Sequence, residues 1–558
     1  MKQLDAGEYP LRKIFSSDFE FRIPDYQRPY SWGNEQVLQL LDDLEGSLDR
    51  NTDEPYFLGS VVIVKEGTSA GAEVIDGQQR LTTLSILFAV LRDLTTNRQL
   101  AAELSEFVLE PGRIMAGTKP KPRLTLRQRD AAVFREHVQA DGKIRELIGL
   151  PDSTLTTDAQ RAIRDNAEAL VLRLEAWPET RREELAAMMG TRTFLVVVST
   201  PDLASAHRIF SVMNARGLDL TAADIFKSMV IGDIAPEDQP TYADKWEQEE
   251  QDLSRDGFAE LFLHVRMIFA KERAQRTLLL EFEQQVLAGY LPGGGARFVD
   301  EVLIPYSDAY EHLITQNLPA VGGWEQVNGW LRRLVQLDNN DWRPPALWAL
   351  KHHASDPAFL NPFLARLETL AASMLIRRMY ATPRASRYAE LLKQLEEGQG
   401  LDAPAFALGE DERAETLARL QGDVYLVQPV RRYVLLRLDE KLANQPGVTY
   451  QHKMITVEHV LPQNPRNDGQ WVADFTDDER LVWTHRLANL VLLNRAKNSE
   501  AQRFDFEEKK TRYFTGPNGV ATFALTTGVL RESAWTPQVL EARQARLVGV
   551  LAREWGLG

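Results

Sequence analysis

The chain contains no cysteine. Disulfides, thiolate zinc sites, iron–sulfur clusters and cysteine nucleophiles are therefore excluded. It also lacks an uninterrupted apolar run of the roughly 20 residues that span a bilayer. The longest run, 81–91, contains threonine and serine and is followed by Arg92. No apolar segment follows the charged start, so no targeting signal is predicted. A cytoplasmic protein without membrane contact is expected.

Basic residues are outnumbered, with 65 Lys and Arg against 80 Asp and Glu and a formal net charge of −15. Such a chain should not coat DNA non-specifically, so contact with nucleic acid would need local basic surfaces. The P-loop motif Gly-x-x-x-x-Gly-Lys-Ser/Thr is absent, which excludes a P-loop NTPase, and neither Gly-x-Gly-x-x-Gly nor His-Glu-x-x-His occurs.

The sequence predicts a soluble α+β multidomain protein. Its 558 residues, 44% hydrophobic, suggest three or four domains of about 150 residues. Strands are predicted at 56–64, 73–75 and 193–198, and a helix begins near Leu81. Residues 111–129 carry six Lys and Arg and no acid, which predicts an exposed basic loop.

A composition shift follows Ile234, because residues 236–260 hold nine acids and two bases. We therefore predict a first domain at 1–235, a mainly helical middle region at 236–420 and a C-terminal domain at 421–558. The polar stretch 396–412 is interpreted as a linker.

Imidazole, carboxylate and amide groups recur near the C-terminus. A predicted strand at 454–457 leads into Glu458 and His459, while Asn489 lies thirty residues after His459 and Asn498 nine residues later. An imidazole can deprotonate water near neutral pH. Oxygen ligands can hold a hard divalent cation such as Mg²⁺ or Mn²⁺. The set fits phosphodiester hydrolysis, with one amide holding the loop that carries the base.

This pattern resembles the HNH, or ββα-metal, nucleases, and more closely their GmrD-type variant, over roughly 430–558. Arg543 and Trp555 fit the closing helix of that family. A structural zinc held by cysteines, common in HNH proteins, is impossible here, so packing alone must hold the fold. The roles that the resemblance implies are general base for His459, loop positioning for Asn489, and metal ligation for Glu458 and Asn498.

A locally basic segment accompanies these residues. From His485 to Tyr513 there are seven Lys and Arg against four acids. A basic face suits DNA contact, although a solvated helix carries the same charges. His485 itself is interpreted as a structural residue or a phosphate neighbour.

Two motifs near the N-terminus favour a phosphate ligand. Residues 23–32 concentrate aromatic, amide and guanidinium groups, and Asp-Gly-Gln-Gln-Arg begins at Asp76. Gly77 permits close backbone approach, and the N–H groups of a helix N-terminus favour an anion. Arg28 and Arg80 add forked donors suited to phosphate oxygens. The acidic Asp76 suggests a metal or a polarised water beside the phosphates.

These motifs resemble the GmrS-type domain of the ParB/sulfiredoxin-like superfamily, over roughly 8–235. In that family the Asp-Gly-Gln-Gln-Arg signature marks a centre that binds and hydrolyses nucleotides, which implies catalytic roles for Asp76 and Arg80. A third family motif, 209–220, continues to Lys227. The candidate nucleotide-binding residues are Tyr26, Gln27, Arg28, Gly77, Gln78, Gln79, Asn214, Arg216 and Lys227.

A GmrS-like part, a helical middle and a GmrD-like part in one chain resemble the single-chain GmrSD restriction endonucleases, including SspE-type effectors linked to DNA phosphorothioation. The resemblance implies an anti-phage restriction factor, a nucleotide-regulated endonuclease or nickase that responds to DNA modification. The implied cofactors are Mg²⁺ or Mn²⁺, with GTP or ATP as substrate or regulator. The implied partner is modified phage or host DNA, and a homo-oligomer is compatible with the sequence.

Other interpretations stay open at this stage. The main alternative is a nucleotide-dependent DNA-binding regulatory module whose HNH-like domain is inactive and structural. Arg28 between aromatic residues also fits a cation–π clamp, and Asn214 to Gly217 also fits a helix C-cap. The arginines that fit either a DNA channel or a solvated helix in the middle region are Arg377, Arg378, Arg384 and Arg387.

Overall fold

The structure is a computed structural model with two compact units. The first comprises Met1–Glu247 with Leu291–Val299, and the second comprises Gln248–Tyr290 with Asp300–Gly558. The residues that the structure describes are 5–50, 54–65, 67, 69–112, 119–201, 206, 222–319, 321–445, 455–494, 503–515 and 523–558.

The first unit contains a six-stranded mixed sheet in the order β1-β8-β3-β4-β2-β7. The pairs β1/β8 and β3/β4 are antiparallel, whereas β8/β3, β4/β2 and β2/β7 are parallel. The strands of this unit are β1 Asp5–Pro10, β2 Glu20–Arg22, β3 Tyr56–Val64, β4 Gly71–Asp76, β5 Leu109–Glu110, β6 Lys121–Pro122, β7 Leu124–Thr125 and β8 Thr193–Thr200.

Helices follow the strands in both units. The α-helices up to residue 270 are α1 Leu11–Ile14, α2 Asn34–Asp49, α3 Gln78–Leu94, α4 Arg98–Val108, α5 Gln128–Val133, α6 Ile144–Ile148, α7 Asp158–Glu175, α8 Glu179–Arg192, α9 Ala222–Gly232 and α10 Gln239–Ala270. Those that follow are α11 Leu278–Gln285, α12 Gly295–Phe298, α13 Ile304–Thr315, α14 Trp324–Leu334, α15 Arg343–His352, α16 Pro357–Ile376, α17 Ala381–Glu396, α18 Glu410–Gln421, α19 Gln428–Ala443, α20 Gln470–Asp474, α21 Asp477–Trp483, α22 Phe506–Glu508, α23 Ala524–Leu530 and α24 Pro537–Glu554.

The helix α3 is the central helix of the first unit. Its residues from Gln78 to Arg92 are almost all buried, both apolar ones such as Leu84 and small polar ones such as Thr82. The buried threonine and serine hydroxyls donate to backbone carbonyls one turn earlier, as Thr82 does to Gln78 at 2.8 Å. Threonine and serine can therefore be buried in this core without leaving their hydroxyl groups unpaired.

The second unit contains a two-stranded antiparallel pair, β9 Thr456–His459 and β10 Leu490–Leu493. His459 pairs with Leu490 and Glu458 with Val491. A π-helical turn, Lys509–Phe514, follows α22. Buried residues including Trp471 and Trp535 form a hydrophobic core beside the pair.

A buried charge network joins helices of the middle region to the C-terminal helices within the second unit. Arg437 on α19 donates to Glu368 on α16 and to Glu440, each at 3.0 Å. The Trp555 indole also donates to Glu368, at 3.0 Å. Arg333 on α14 donates to Glu440 at 2.6 Å. These contacts place the helical middle and the C-terminal part in one compact unit.

One described helix, α16, is long and apolar enough to cross a membrane. Of its most apolar 18-residue segment, 67% is buried inside the protein. That degree of burial is typical of a core helix, since Leu364 and Leu367 are fully buried. The longest apolar run in the sequence lies instead at 81–91, because Asn361, Arg366 and Glu368 interrupt the apolar residues of α16.

The predicted exposed basic loop is wrong at Arg123 and Arg127, whereas Lys119, Lys121 and Arg129 are exposed. Arg123 and Arg127 are buried, and the chain there forms β6, β7 and the start of α5. Arg123 donates to Glu110 at 3.0 Å and to the Glu106 carbonyl at 3.1 Å. Local acceptors therefore neutralise guanidinium groups that looked solvated from composition alone.

The arginines of the middle region are bound within their own unit. Arg377 donates to Glu412 at 2.9 Å and Arg384 to Asp341 at 2.7 Å. Arg387 donates to the Ala405 carbonyl at 2.7 Å. These contacts favour a structural role for the three side chains over a DNA channel.

Candidate functional site

The Asp-Gly-Gln-Gln-Arg motif forms the junction between β4 and α3. Gly77 has φ +92°, and a Cβ there would lie 2.8 Å from Val61 Cγ2. Only glycine meets both requirements without strain. Burial raises the pKa of Asp76, while the Gly77 N–H, Arg80 and Arg28 oppose that rise.

The Arg80 side chain contacts the backbone of β3. Its Nη1 donates to the Ser60 carbonyl at 2.8 Å, and a Cβ on Gly59, whose φ is +99°, would lie 3.3 Å from its Nη2. Burial lowers the pKa of Arg80, and the neighbouring Asp76 carboxylate opposes that change. The arrangement places a half-buried guanidinium and a half-buried carboxyl close enough to influence each other's pKa.

The two glutamines of the motif have different environments. Gln79 Oε1 accepts from the N–H groups of Ser31 at 2.8 Å and Trp32 at 3.2 Å, and its Nε2 donates to the Pro29 carbonyl at 2.9 Å. Gln79 therefore holds the N-terminal motif, residues 23–32, against the Asp-Gly-Gln-Gln-Arg motif at the start of α3. Gln78 Oε1 is buried and has no hydrogen-bond partner among the described residues.

A cavity of about 10 Å³ lies beside Gln78, which is room for about one water molecule. Arg28, Arg127 and Asp130 line it together with both glutamines. A buried amide oxygen without a donor is costly. The cavity is therefore suited to a donor from a water or a ligand.

Arg127 also lines a second cavity of about 210 Å³, with Asp25, Asp244 and Glu247 among its other walls. Lys227 donates to Glu247 at 2.7 Å, and Arg127 donates to the same carboxylate. Burial opposes ionisation of Glu247, yet the two cations hold its pKa below the ordinary value.

The remaining N-terminal candidates occupy different places. Tyr26 is buried, and burial followed by the charge of Glu73 raises its pKa. Gln27 is also buried, and its carbonyl accepts from Arg127 at 3.3 Å. Asn214 and Arg216 lie outside the described residues.

His459 ends β9 and is only 6% exposed. Lys509 Nζ donates to the His459 carbonyl at 2.9 Å and to the Val460 carbonyl at 2.8 Å. Lys509 is fully buried, and burial lowers its pKa to about 7 although Glu458 opposes the change. The backbone that carries the imidazole is thus fixed by an ammonium or amine group from the turn after α22.

Asn489 makes a second clamp on the same segment. Its Oδ1 accepts from the Leu461 N–H at 2.6 Å, and its Nδ2 donates to the carbonyls of Leu461 and Thr484, both at 2.9 Å. The Trp535 indole also donates to Oδ1, at 3.2 Å. The Asn489 side chain is 0% exposed, and its amide ties the segment after β9 to the start of β10.

The long helix α24 contacts the backbone of the residue that precedes Asn489. Gln544 Oε1 accepts from the Ala488 N–H at 2.9 Å, and Arg543 Nε donates to the Ala488 carbonyl at 3.0 Å. Burial lowers the pKa of Arg543 to about 10. Two adjacent side chains thus fix the backbone immediately before Asn489.

Two aromatic side chains surround His459. The ring of Tyr425 lies 4.0 Å from that of His459, and the ring of His485 lies 5.5 Å from it, centroid to centroid. Gln463 Nε2 lies 3.4 Å from His459 Nε2. The imidazole of His459 therefore lies in a cluster of rings.

Two family models match the chain. The model described as the GmrSD restriction endonuclease N-terminal domain matches residues 11–231, and the model of the GmrSD C-terminal domain matches residues 410–550. The chain belongs to the GmrSD family. A comparison with the curated proteins gave no match.

Membership of the GmrSD family confirms the resemblance that the motifs predicted. The N-terminal match includes the Asp76 turn, and the C-terminal match includes His459 and Asn489. Both domains of a GmrSD restriction endonuclease support a role as a restriction nuclease, with DNA as the partner.

The predicted metal ligands of this GmrSD chain are only partly described. Glu458 is 1% exposed and offers the oxygen donor that a hard cation prefers. Asn498 lies outside the described residues. In the described ranges no group of three or more His, Asp and Glu side chains could hold a metal. Glu458 therefore suits such an ion only together with further ligands, and the predicted second ligand is Asn498.

Sequence reasoning missed Arg127, Asp130 and Tyr425. Arg127 gave no usable signal, because its local sequence is that of a solvated arginine and its partner Glu247 lies 120 residues later in the chain. Tyr425 gave no signal, because it precedes His459 by more than thirty residues. Only the fold brings the two rings together.

Proposed function

We propose that this GmrSD chain is a nucleotide-regulated restriction endonuclease that nicks or cuts DNA and responds to the modification state of that DNA. The observation that carries the proposal is the double clamp on His459. Lys509 holds the carbonyls of His459 and Val460, and Asn489 holds both backbone groups of Leu461. A rigidly held buried imidazole is what a general base needs.

The C-terminal chemistry follows from an HNH-type arrangement. His459 takes a proton from the attacking water, and Asn489 and Lys509 keep the imidazole in place while it does so. Glu458, with Asn498, would hold a divalent cation. That ion supplies charge stabilisation of the leaving oxygen.

The N-terminal domain binds and hydrolyses a nucleoside triphosphate in this proposal. The first turn of α3 presents backbone N–H groups, and Arg28, Arg80 and Arg127 supply guanidinium groups near them. The half-buried carboxyl of Asp76 beside Arg80 suits a group that orients water or a cation.

Coupling of the two sites is expected because an unregulated nuclease would attack the host chromosome. The acidic net charge of −15 weakens non-specific DNA binding. Nucleotide and modified DNA would then shift the protein towards a cutting state.

The test is nicking of supercoiled plasmid, unmodified and carrying either phosphorothioate linkages or glucosylated bases. Each plasmid is incubated with Mg²⁺ or Mn²⁺, with and without GTP or ATP. His459→Ala and Asp76→Ala are compared with wild type, and His312→Ala serves as a matched control because His312 lies on α13, outside the motifs.

We expect cutting that His459→Ala abolishes, that His312→Ala leaves unchanged, and whose dependence on nucleotide Asp76→Ala removes. Cutting that survives His459→Ala would overturn the assignment of the base. Nucleotide turnover without cutting of any plasmid would instead support a regulatory module with an inactive nuclease domain.

A further inference from the structure

His459 is accompanied by a second imidazole. Tyr425 lies nearly parallel to His485, with an interplanar angle of 14° and ring centroids 5.5 Å apart. The Tyr425 N–H also donates to the His485 carbonyl at 3.1 Å. This backbone bond ties the two segments together, so the relation of the Tyr425 and His485 rings to each other is fixed by main-chain geometry as well as by packing.

Guanidinium groups lie at the edge of this cluster. Arg431 is 4.3 Å above the Tyr425 ring, and its Nη1 donates to the Tyr425 carbonyl at 2.8 Å. A guanidinium has five N–H donors, so this bond leaves others for a ligand. Arg486 is 5.0 Å above the Trp483 ring, one residue after His485. The cluster thus has the Arg431 guanidinium beside it, and a second guanidinium belongs to the residue that follows His485.

Burial differs between the two histidines in a way that suits two roles. His459 is almost fully buried, whereas His485, Tyr425 and Arg431 are half-buried and reach the surface. The half-buried groups therefore form a rim beside the base. A DNA backbone that approaches His459 from solvent would meet imidazole, phenol and guanidinium groups first.

His485 also carries an unsatisfied polar atom. Its Nδ1 is buried and has no hydrogen-bond partner in the ranges that the structure describes. An unpaired buried ring nitrogen is unfavourable, and a purely packing role does not recover that cost. Because Nδ1 is closed off from solvent, a phosphate oxygen that approaches the half-buried ring from outside would meet the other ring nitrogen, Nε2.

We propose that His485 is a second histidine of the nuclease site and donates a hydrogen bond to a phosphate oxygen of the bound DNA strand, with Tyr425 and Arg431 fixing its position. The inference rests on the proposed nuclease function. The ligand class is a phosphodiester, whose oxygens accept strong hydrogen bonds from imidazolium and guanidinium groups.

The decisive variant is His485→Phe, because phenylalanine keeps the ring packing on Tyr425 and removes the N–H donor. We expect kcat/KM for plasmid nicking to fall about 100-fold, the loss typical of removing one donor to a charged transition state. The urea midpoint should stay that of wild type. Imidazole added to His485→Ala should restore nicking at least several-fold. If His485 were only a packing residue, His485→Phe would cut like wild type.

Arg431 and Arg432 provide a matched pair for the rim. Arg432 is the exposed neighbour of Arg431 on α19. Arg431→Gln should lower kcat/KM about 10-fold or more, and Arg432→Gln should not change it. Equal effects of the two changes would overturn the role of the rim.

A binding measurement separates this inference from the proposed function. In a His459→Ala background, a 20-base-pair duplex should bind more weakly when His485→Phe is added, and equal affinities would overturn the phosphate contact. Wild type that cuts nothing would defeat the proposed function, while the binding arm would still decide the role of His485. Should His485→Phe fail to fold, His485→Leu, which also lacks a side-chain donor, replaces it in both measurements.

Discussion

Asn489 and Leu461 form a reciprocal pair of hydrogen bonds, N–H to Oδ1 at 2.6 Å and Nδ2–H to carbonyl at 2.9 Å. The pair joins the start of β10 to the segment just after β9. Because His459 lies two residues before Leu461, this contact sets where the imidazole can be.

Asn489→Asp should separate positioning from folding. A carboxylate of the same size still accepts from Leu461 and Trp535 but cannot donate to the carbonyls of Leu461 and Thr484. We expect the free energy of unfolding to fall by about 2–4 kcal/mol and nicking by 10-fold or more. Urea unfolding and plasmid nicking measure the two effects. Unchanged nicking with lowered stability would show that the amide only holds the fold.

The two glutamines after Gly77 should behave differently. Gln79→Leu removes the acceptor for the Ser31 and Trp32 N–H groups, so we expect a loss of about 1–3 kcal/mol. Gln78→Leu removes an oxygen that has no partner among the described residues, so stability should be kept and nucleotide binding lost. Calorimetric titration with GTP and ATP, beside urea unfolding, tests both. Wild-type nucleotide affinity in Gln78→Leu would remove that residue from the site.

How much of this site was predictable depends on the range of the interaction. The turn at Asp76–Gly77 and the strands 56–64 and 193–198 follow from local pattern, and the end of β9 at His459 lies close to the strand predicted there. The local pattern did not indicate that Gln79 is a clamp. That role arises because residues nearly fifty positions apart meet across α3.

Burial of charge was the other unpredictable element. Arg127 carries the same local signature as a solvated arginine, yet it is buried against Asp130 and Glu247. Composition cannot reveal such pairing, because the acidic partner Glu247 comes from α10, more than a hundred residues away. Lys509 is similar, since its acceptors are backbone carbonyls of β9 and the residue after it.

Gly77→Ala should cost more than an ordinary glycine replacement. Both Gly77 and Gly142 have positive φ, +92° and +71°, but an added Cβ meets Val61 at 2.8 Å in the first case and nothing within 4 Å in the second. Gly142→Ala should lose about 1 kcal/mol from backbone strain alone. Gly77→Ala should lose at least 1 kcal/mol more, because the Cβ must also displace β3. Equal losses in urea unfolding would contradict the close approach.

The network around Arg437 should dominate the stability of the second unit. Arg437→Met leaves the buried Glu368 without its cation and Glu440 with Arg333 alone, so we expect a loss of about 3–5 kcal/mol. Arg419→Met is the control, because Arg419 and Glu415 form an exposed pair on α18 and should contribute less than about 0.5 kcal/mol. A small loss in both variants would mean that water reaches the buried carboxylates.

His264 should make the second unit sensitive to acid. Burial, followed by the charge of Arg343, lowers its pKa to about 4, while Glu260 opposes the change. An unfolded histidine titrates near pH 6.5. Between pH 6.5 and about 4 the unfolded chain therefore holds a proton that the native chain does not, and stability falls as pH decreases through this window.

Replacing this imidazole should weaken that dependence. His264→Gln cannot titrate, so its stability relative to wild type should rise by up to about 3 kcal/mol between pH 7 and pH 4.5. Urea unfolding followed by tryptophan fluorescence at these two pH values measures the difference. The carboxylates of both proteins protonate alike, so subtracting the two curves isolates His264. Parallel curves would mean that the native protein accepts the proton, as an imidazole in contact with solvent would.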